Sequence, residues 1–211
     1  MSKIIIPRSF DQLFIFLLDC GDSMYEYSCI KLSKRKTAQK ELISFLCLLN
    51  KNEWIAINNS YAIVNFYNKS NIHVDISQSV CFNDDLELFK YFYNPKNITE
   101  GLTIAEELAV RHLANKEYGI HKSVVIVLLS DGCGISEQDT IPIINRLKSN
   151  KQITIASCFF ETLGGDRDGM NEAANFLKKV CSSELTFWVN SLHERLIFEM
   201  DYDRPNRHRK L

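Results

Sequence analysis

The chain has 211 residues, a formal net charge of −1 and 45% hydrophobic residues, the profile of an ordinary globular protein. That balance gives no reason to expect a polyanion or an anionic membrane surface as partner. No apolar stretch approaches the roughly 20 residues of a membrane span, and Met1-Ser2-Lys3 leads into three isoleucines before Pro7 rather than into a signal peptide.

The expected location is therefore cytoplasmic, with no nucleic acid and no membrane among its partners. Seven cysteines, odd in number, scattered and without a CxxC pair, agree with reduced thiols that act mostly as small buried hydrophobes.

In chain order, Gln12 to Asp19 holds the apolar run Phe14-Ile15-Phe16-Leu17-Leu18, which predicts a strand buried on both faces of a parallel sheet. After a polar loop, Lys34 to Asn50 places Ala38, Leu42, Phe45, Leu46 and Leu49 on one helical face. Two short strands are predicted at Glu53 to Asn58 and Tyr61 to Tyr67, with Asn59-Ser60 as a tight turn between them. Ile72 to Ile76 extends that edge. Asp84 to Tyr93 reads as a short helix closed before Pro95, and Asn97 to Leu102 as a loop. Thr103 then stands as the N-cap of a helix from Ile104 to Lys116, with Glu106 completing a capping box.

Ser123 to Ser130 is a second buried strand, and it too ends on a carboxylate, Asp131-Gly132. A helix over Ser136 to Ser149, a strand over Gln152 to Phe160, a helix over Met170 to Cys181, a strand over Glu184 to Val189 and a helix over Ser191 to Met200 complete the pattern. Strands alternating with helices predict an α/β, doubly wound, mostly parallel central sheet with one antiparallel edge strand and helices on both faces. Residues 1–200 read as one domain and 201–211 as a polar tail.

Ligands of such folds bind beyond the carboxyl ends of the strands, where strand order reverses. Asp19 and Ser23 after the first strand, Thr103 at a helix start and Asp131 after the later strand bring oxygen donors to that edge. Each has a plain local role as well, as a turn or helix cap. Their convergence at one edge points to a hard-cation site.

Here the chain resembles the von Willebrand factor A (vWA) family, with the metal-ion-dependent adhesion pattern Asp-x-Ser-x-Ser, then Thr, then Asp-Gly. The matching residues are Asp19-Cys20-Gly21-Asp22-Ser23, Gly101-Leu102-Thr103 and Ser130-Asp131-Gly132. The resemblance implies a Mg²⁺ (or Mn²⁺) ion held by Asp19, Ser23, Thr103 and Asp131, and a protein partner whose acidic residue completes the metal shell. It implies no bond made or broken. In the compact bacterial members such a module accompanies kinase, phosphatase or stress-response proteins as a scaffold. One departure weakens the metal site: Gly21 stands where the family has a Ser ligand.

Two rival readings remain. A magnesium-dependent phosphatase of the haloacid-dehalogenase type also ends its first strand on Asp, but needs a carboxylate two residues later, where Gly21 stands. A metal-independent interaction module with a degenerate site is the other. Cys20 and Cys133 have no partners at zinc spacing. Gly164 to Gly169 reads as a surface loop rather than a phosphate cradle, and Arg204 to Lys210 as a solvated tail.

Overall fold

The computed structural model describes residues 9–27, 32–51, 59–67, 69–78, 97–115, 120–162 and 166–190. The predicted strand at Glu53 to Asn58, the helix at Asp84 to Tyr93, the helix at Ser191 to Met200 and the tail lie outside them.

The first strand, β1 (Ser9–Asp19), is the centre of the sheet. Leu13, Phe14, Ile15, Phe16, Leu17 and Leu18 are all fully buried. Because side chains alternate across a strand, Leu13, Ile15 and Leu17 enter one core and Phe14, Phe16 and Leu18 the other. Complete burial of each such side chain is worth about 1.5–3 kcal/mol, which explains why this run occupies the middle of the sheet.

A short 3-10 turn (Asp22–Tyr25) leads to α1 (Lys34–Lys51). The remaining elements are β2 (Asn59–Phe66), β3 (Asn71–Ser77), α2 (Ile98–Ala114), β4 (Ile120–Ser130), α3 (Glu137–Ser149), β5 (Ile153–Phe159), α4 (Arg167–Val180) and β6 (Phe187–Val189). The sheet order is β3-β2-β1-β4-β5-β6. All pairings are parallel except β2 with β3, an antiparallel edge. Helices α2, α3 and α4 pack on the Leu13 face, and Ala38, Leu42, Phe45 and Leu46 of α1 on the Phe14 face. Phe45 meets both Phe14 and Phe16 edge-on, with ring centroids 5.5 and 5.8 Å away. This is the doubly wound α/β sheet expected from the alternation of strands and helices.

Two local expectations are corrected. Asn59 and Ser60 do not form a turn; they are buried residues of β2, held in parallel register with Gln12 and Leu13 of β1. Polar Asn-Ser resembles a hairpin turn only while its neighbours are unknown, and here the β1 ladder takes up its backbone. The second correction concerns α2, which begins at Ile98 rather than Ile104. Asn97 is its N-cap, its Oδ1 accepting from Glu100 N at 3.2 Å. Gly101 does not break this helix but lets it approach the sheet: a Cβ there would lie 3.0 Å from Phe66 Cβ. Thr103 is consequently in the second turn, and Glu106 pairs with Arg146 of α3 through two bonds of 2.7 Å instead of closing a capping box.

Candidate functional site at the strand ends

From β1 the chain crosses to β2 on one side, and later returns past β1 to β4 on the other. The carboxyl ends of β1 and β4 therefore flank the point where strand order reverses. Asp19 closes β1, one step beyond the Leu18–Leu129 register pair, and Asp131 follows directly on β4. Both carboxylates are buried, with 0% and 2% exposure. Ionised carboxylates reach such positions only when their oxygens are supplied with donors or a cation.

The donors of Asp19 are local and cross-strand. Its Oδ1 accepts from Gly21 N at 2.9 Å, and its Oδ2 from the Ser130 hydroxyl at 2.5 Å. Ser130 Oγ accepts in turn from Gly132 N at 2.9 Å. A continuous chain of hydrogen bonds thus ties the loop after β4 to the end of β1. Gly132 can make this turn because its φ is +70°, and because a Cβ would stand 2.9 Å from the Ala173 carbonyl of α4.

Asp131 is satisfied differently. Its Oδ1 accepts from Cys133 N at 3.0 Å, and its Oδ2 lies 2.7 Å from the ammonium of Lys34. Lys34 is the first residue of α1 and has no exposed surface. Its Nζ also donates to Thr162 Oγ1 at 2.8 Å and to Glu26 Oε2 at 3.3 Å. An ammonium has three donors, and all three are engaged within the protein.

Local structure aims this lysine. Ser33 caps α1, its hydroxyl accepting from Lys36 N at 3.3 Å. Lys34 N donates to the Glu26 carbonyl at 2.8 Å, and Tyr27 and Ser33 form an antiparallel bridge. The loop after β1 thus folds back on itself and delivers the first turn of α1 to the strand ends. On the far side, Asn190 joins the ends of β5 and β6. Its Oδ1 accepts from Glu161 N and its N donates to the Phe159 carbonyl, placing Thr162 beyond β5.

The predicted residues divide accordingly. Asp19 and Asp131 meet at the strand ends, linked through Ser130. Ser23 lies in the adjacent 3-10 turn, half-buried, its carbonyl accepting from Glu26 N. Thr103 is on the exposed side of α2, where its hydroxyl donates to the Thr99 carbonyl at 2.8 Å and makes no bond to Asp19 or Asp131.

Lys34, Glu26, Thr162 and Ser130 were not anticipated. Lys34 carried a readable signal, since it falls exactly one helical turn before Ala38 on the apolar stripe of α1. A charge at the head of a buried stripe needs a partner in the interior.

These residues do not fit a hydrated Mg²⁺. That ion takes near-octahedral oxygen ligands at about 2.0–2.1 Å and keeps several waters. Here the inward oxygen of Asp131 is already bonded to a buried ammonium, both Asp19 oxygens accept from protein donors, and Gly21 supplies no hydroxyl. Among the described residues no group of three or more His, Cys, Asp or Glu side chains is arranged to hold a metal.

Two further motifs are placed. Cys20, Cys158 and Cys181 are buried and Cys47 and Cys133 exposed, all free thiols. Of the glycine-rich segment, Arg167 to Gly169 is the first turn of α4. Asp166 caps it, accepting from Asp168 N and Gly169 N at 3.3 and 3.2 Å. A carboxylate already occupies the place where a phosphate would sit.

No protein-family model and no curated protein matches the chain. Solved structures do. One is the conserved hypothetical protein BatB from Bacteroides thetaiotaomicron, with a TM-score of 0.57 and 15% identity over 92% of this chain and 98% of that one. The likeness is one of fold, a doubly wound α/β sheet consistent with vWA-like and Rossmann-like arrangements. Proximal thread matrix protein 1 of the mussel byssus matches with a TM-score of 0.57 and 14% identity, over 92% of this chain and 45% of its own. In all, 216 chains match, so the architecture is widely shared and assigns no activity by itself. No described helix is long and apolar enough to cross a membrane.

Proposed function

We propose that the chain is a non-enzymatic protein-interaction module. It docks a protein partner on the loops at the carboxyl edge of the sheet, around Asp19, Ser23 and Asp131. The observation that carries this reading is the Lys34 ammonium 2.7 Å from Asp131 Oδ2. It ties the strand ends to the first turn of α1 with the protein's own atoms and makes the edge a fixed platform rather than a reactive cleft. The vWA-like fold, which often mediates protein interactions, supports the same reading.

A phosphatase is disfavoured by the chemistry of Asp19. A nucleophilic carboxylate needs an oxygen open to the substrate and an acid beside it. Both Asp19 oxygens accept internal hydrogen bonds, and Gly21 holds the position of the acid. The Mg²⁺ or Mn²⁺ ion implied by the family resemblance is not part of the reading, so docking proceeds without a divalent ion. A scaffold role beside signalling or stress-response proteins rests on that resemblance alone.

The test is capture of partners from native extract by the purified chain, with and without EDTA. A parallel arm uses Asp22→Arg and Cys133→Arg, two exposed positions on the edge loops. Capture that survives EDTA and is lost in the two variants supports edge docking. Capture by the wild type that EDTA abolishes, or that both variants retain in full, overturns it. Turnover of a generic phosphate ester, lost in Asp19→Asn, refutes the non-enzymatic reading.

A further inference from the structure

We propose that Lys34 is the resident cation at the carboxyl ends of β1 and β4. Its ammonium takes the place of a divalent ion beside Asp131, and its removal uncovers a divalent-cation site in this chain. The inference goes beyond partner docking and does not depend on it, because it concerns ion binding by the purified protein.

Position, valence and geometry all give this place to the lysine. In position, Nζ lies 2.7 Å from Oδ2 of Asp131, the residue that follows directly on β4. In valence, a buried carboxylate needs positive charge nearby, and the lysine supplies it through a covalent tether. In geometry, Nζ lies 2.7, 2.8 and 3.3 Å from Asp131 Oδ2, Thr162 Oγ1 and Glu26 Oε2. These are two carboxylates and a hydroxyl, the hard oxygen donors that Mg²⁺ and Mn²⁺ also select. Thr162 Oγ1 in turn lies 3.4 Å from Glu26 Oε2.

Lysine and metal are therefore mutually exclusive. A divalent ion entering this space would compete for the same Oδ2 and meet a like charge at close contact. With Lys34 shortened, the same oxygens lose the ammonium that neutralises them, and the side-chain atoms removed leave space beside Asp131 for an ion. A lysine that merely packed there would leave no such affinity behind.

Isothermal titration with Mn²⁺ and thermal unfolding in Mn²⁺ are the measurements. Wild-type protein is expected to bind no Mn²⁺ up to millimolar concentrations and to keep its Tm. Lys34→Ser is expected to gain binding, with Tm rising about 3–6 °C at a metal concentration about ten times Kd. Adding Asp131→Asn to Lys34→Ser should abolish the gain. Folding of Lys34→Ser only in the presence of Mn²⁺ supports the proposal equally. Sub-millimolar Mn²⁺ binding by the wild type that Asp131→Asn removes overturns it, and so does a folded Lys34→Ser whose Tm ignores the metal. Should Lys34→Ser not fold under any condition, the milder Lys34→Gln takes its place in the same titration, and failure of both variants to fold even with Mn²⁺ present overturns the proposal.

Discussion

Two aspartate–lysine ion pairs stand at opposite ends of β1 and β4, and they are built to different standards. At the carboxyl end, Lys34 and Asp131 are 2.7 Å apart with side-chain exposures of 0% and 1%. At the amino end, Lys122 and Asp11 are neighbours in the strand register, 3.1 Å apart, with exposures of 8% and 27%. Water reaches the second pair and shares the solvation of its charges. The first pair has only protein around it, so each hydrogen-bonding group must be met internally. The same two residue types therefore make a rigid, closed junction at one end and a partly solvated cluster at the other.

Substituting the two lysines should expose that contrast most strongly. Lys34→Met takes the ammonium away from the buried Asp131 carboxylate and should cost about 3–5 kcal/mol. Lys122→Met at the wetter end should cost about 1 kcal/mol. Urea denaturation of both variants measures the difference. Combining Lys34→Met with Asp131→Leu should recover most of the loss, since an apolar pair of similar volume needs no solvation. Equal costs at the two ends would break the comparison.

A smaller effect separates two glycines of the loop that bears Asp131. Gly132 and Gly134 both have φ of +70°, yet only Gly132 presses on α4, whereas a Cβ on Gly134 meets nothing within 4 Å. Gly134→Ala should therefore cost only the left-handed backbone penalty, about 1–2 kcal/mol. Gly132→Ala adds a clash with the Ala173 carbonyl and should lose more, about 2–4 kcal/mol. The thermal midpoints of the two variants check the order.

The third expectation concerns the amino end and pH. His112, on α2, faces Asp11 and Lys122 there, with Nε2 3.4 Å from the Asp11 carbonyl and 3.8 Å from its carboxylate. Burial pushes its pKa below the ordinary 6.5, although the Asp11 charge opposes the shift and Lys122 adds to it. The unfolded chain then binds more protons than the folded one just below pH 6.5. Stability accordingly falls as the pH drops from about 6.5 toward the lower folded pKa, and levels off beneath it. His112→Gln should flatten that part of the profile. Denaturation midpoints at about pH 7 and pH 5 test this, and an unchanged slope would show that His112 protonates as freely folded as unfolded.

The smallest effect is that of salt. The exposed rim of the Asp11–Lys122 cluster should weaken slightly at about 0.5 M salt, while the buried Lys34–Asp131 pair should be nearly insensitive. Comparing the salt dependence of Lys34→Met and Lys122→Met with that of the wild type separates the two.

The hydrophobic run of β1, the Val-Val-Ile-Val-Leu-Leu of β4 and the apolar stripe of α1 determined a doubly wound sheet without help from any neighbour, because strand and helix periods are local properties. The same runs placed Asp19 and Asp131 at strand ends. The extent of α2 was not legible: Gly101 and Thr103 read as the end of a loop until Phe66 supplies the close contact that favours a glycine inside a helix. The helical phase of α1 favours Lys34 over Arg35 and Lys36 as the inward residue, but it names none of the partners that residue meets. Only the tertiary structure brings Glu26, Asp131 and Thr162, residues up to 136 positions apart, around a single ammonium. A buried charge is held by whatever the fold places beside it, and that neighbourhood is not written in any local pattern.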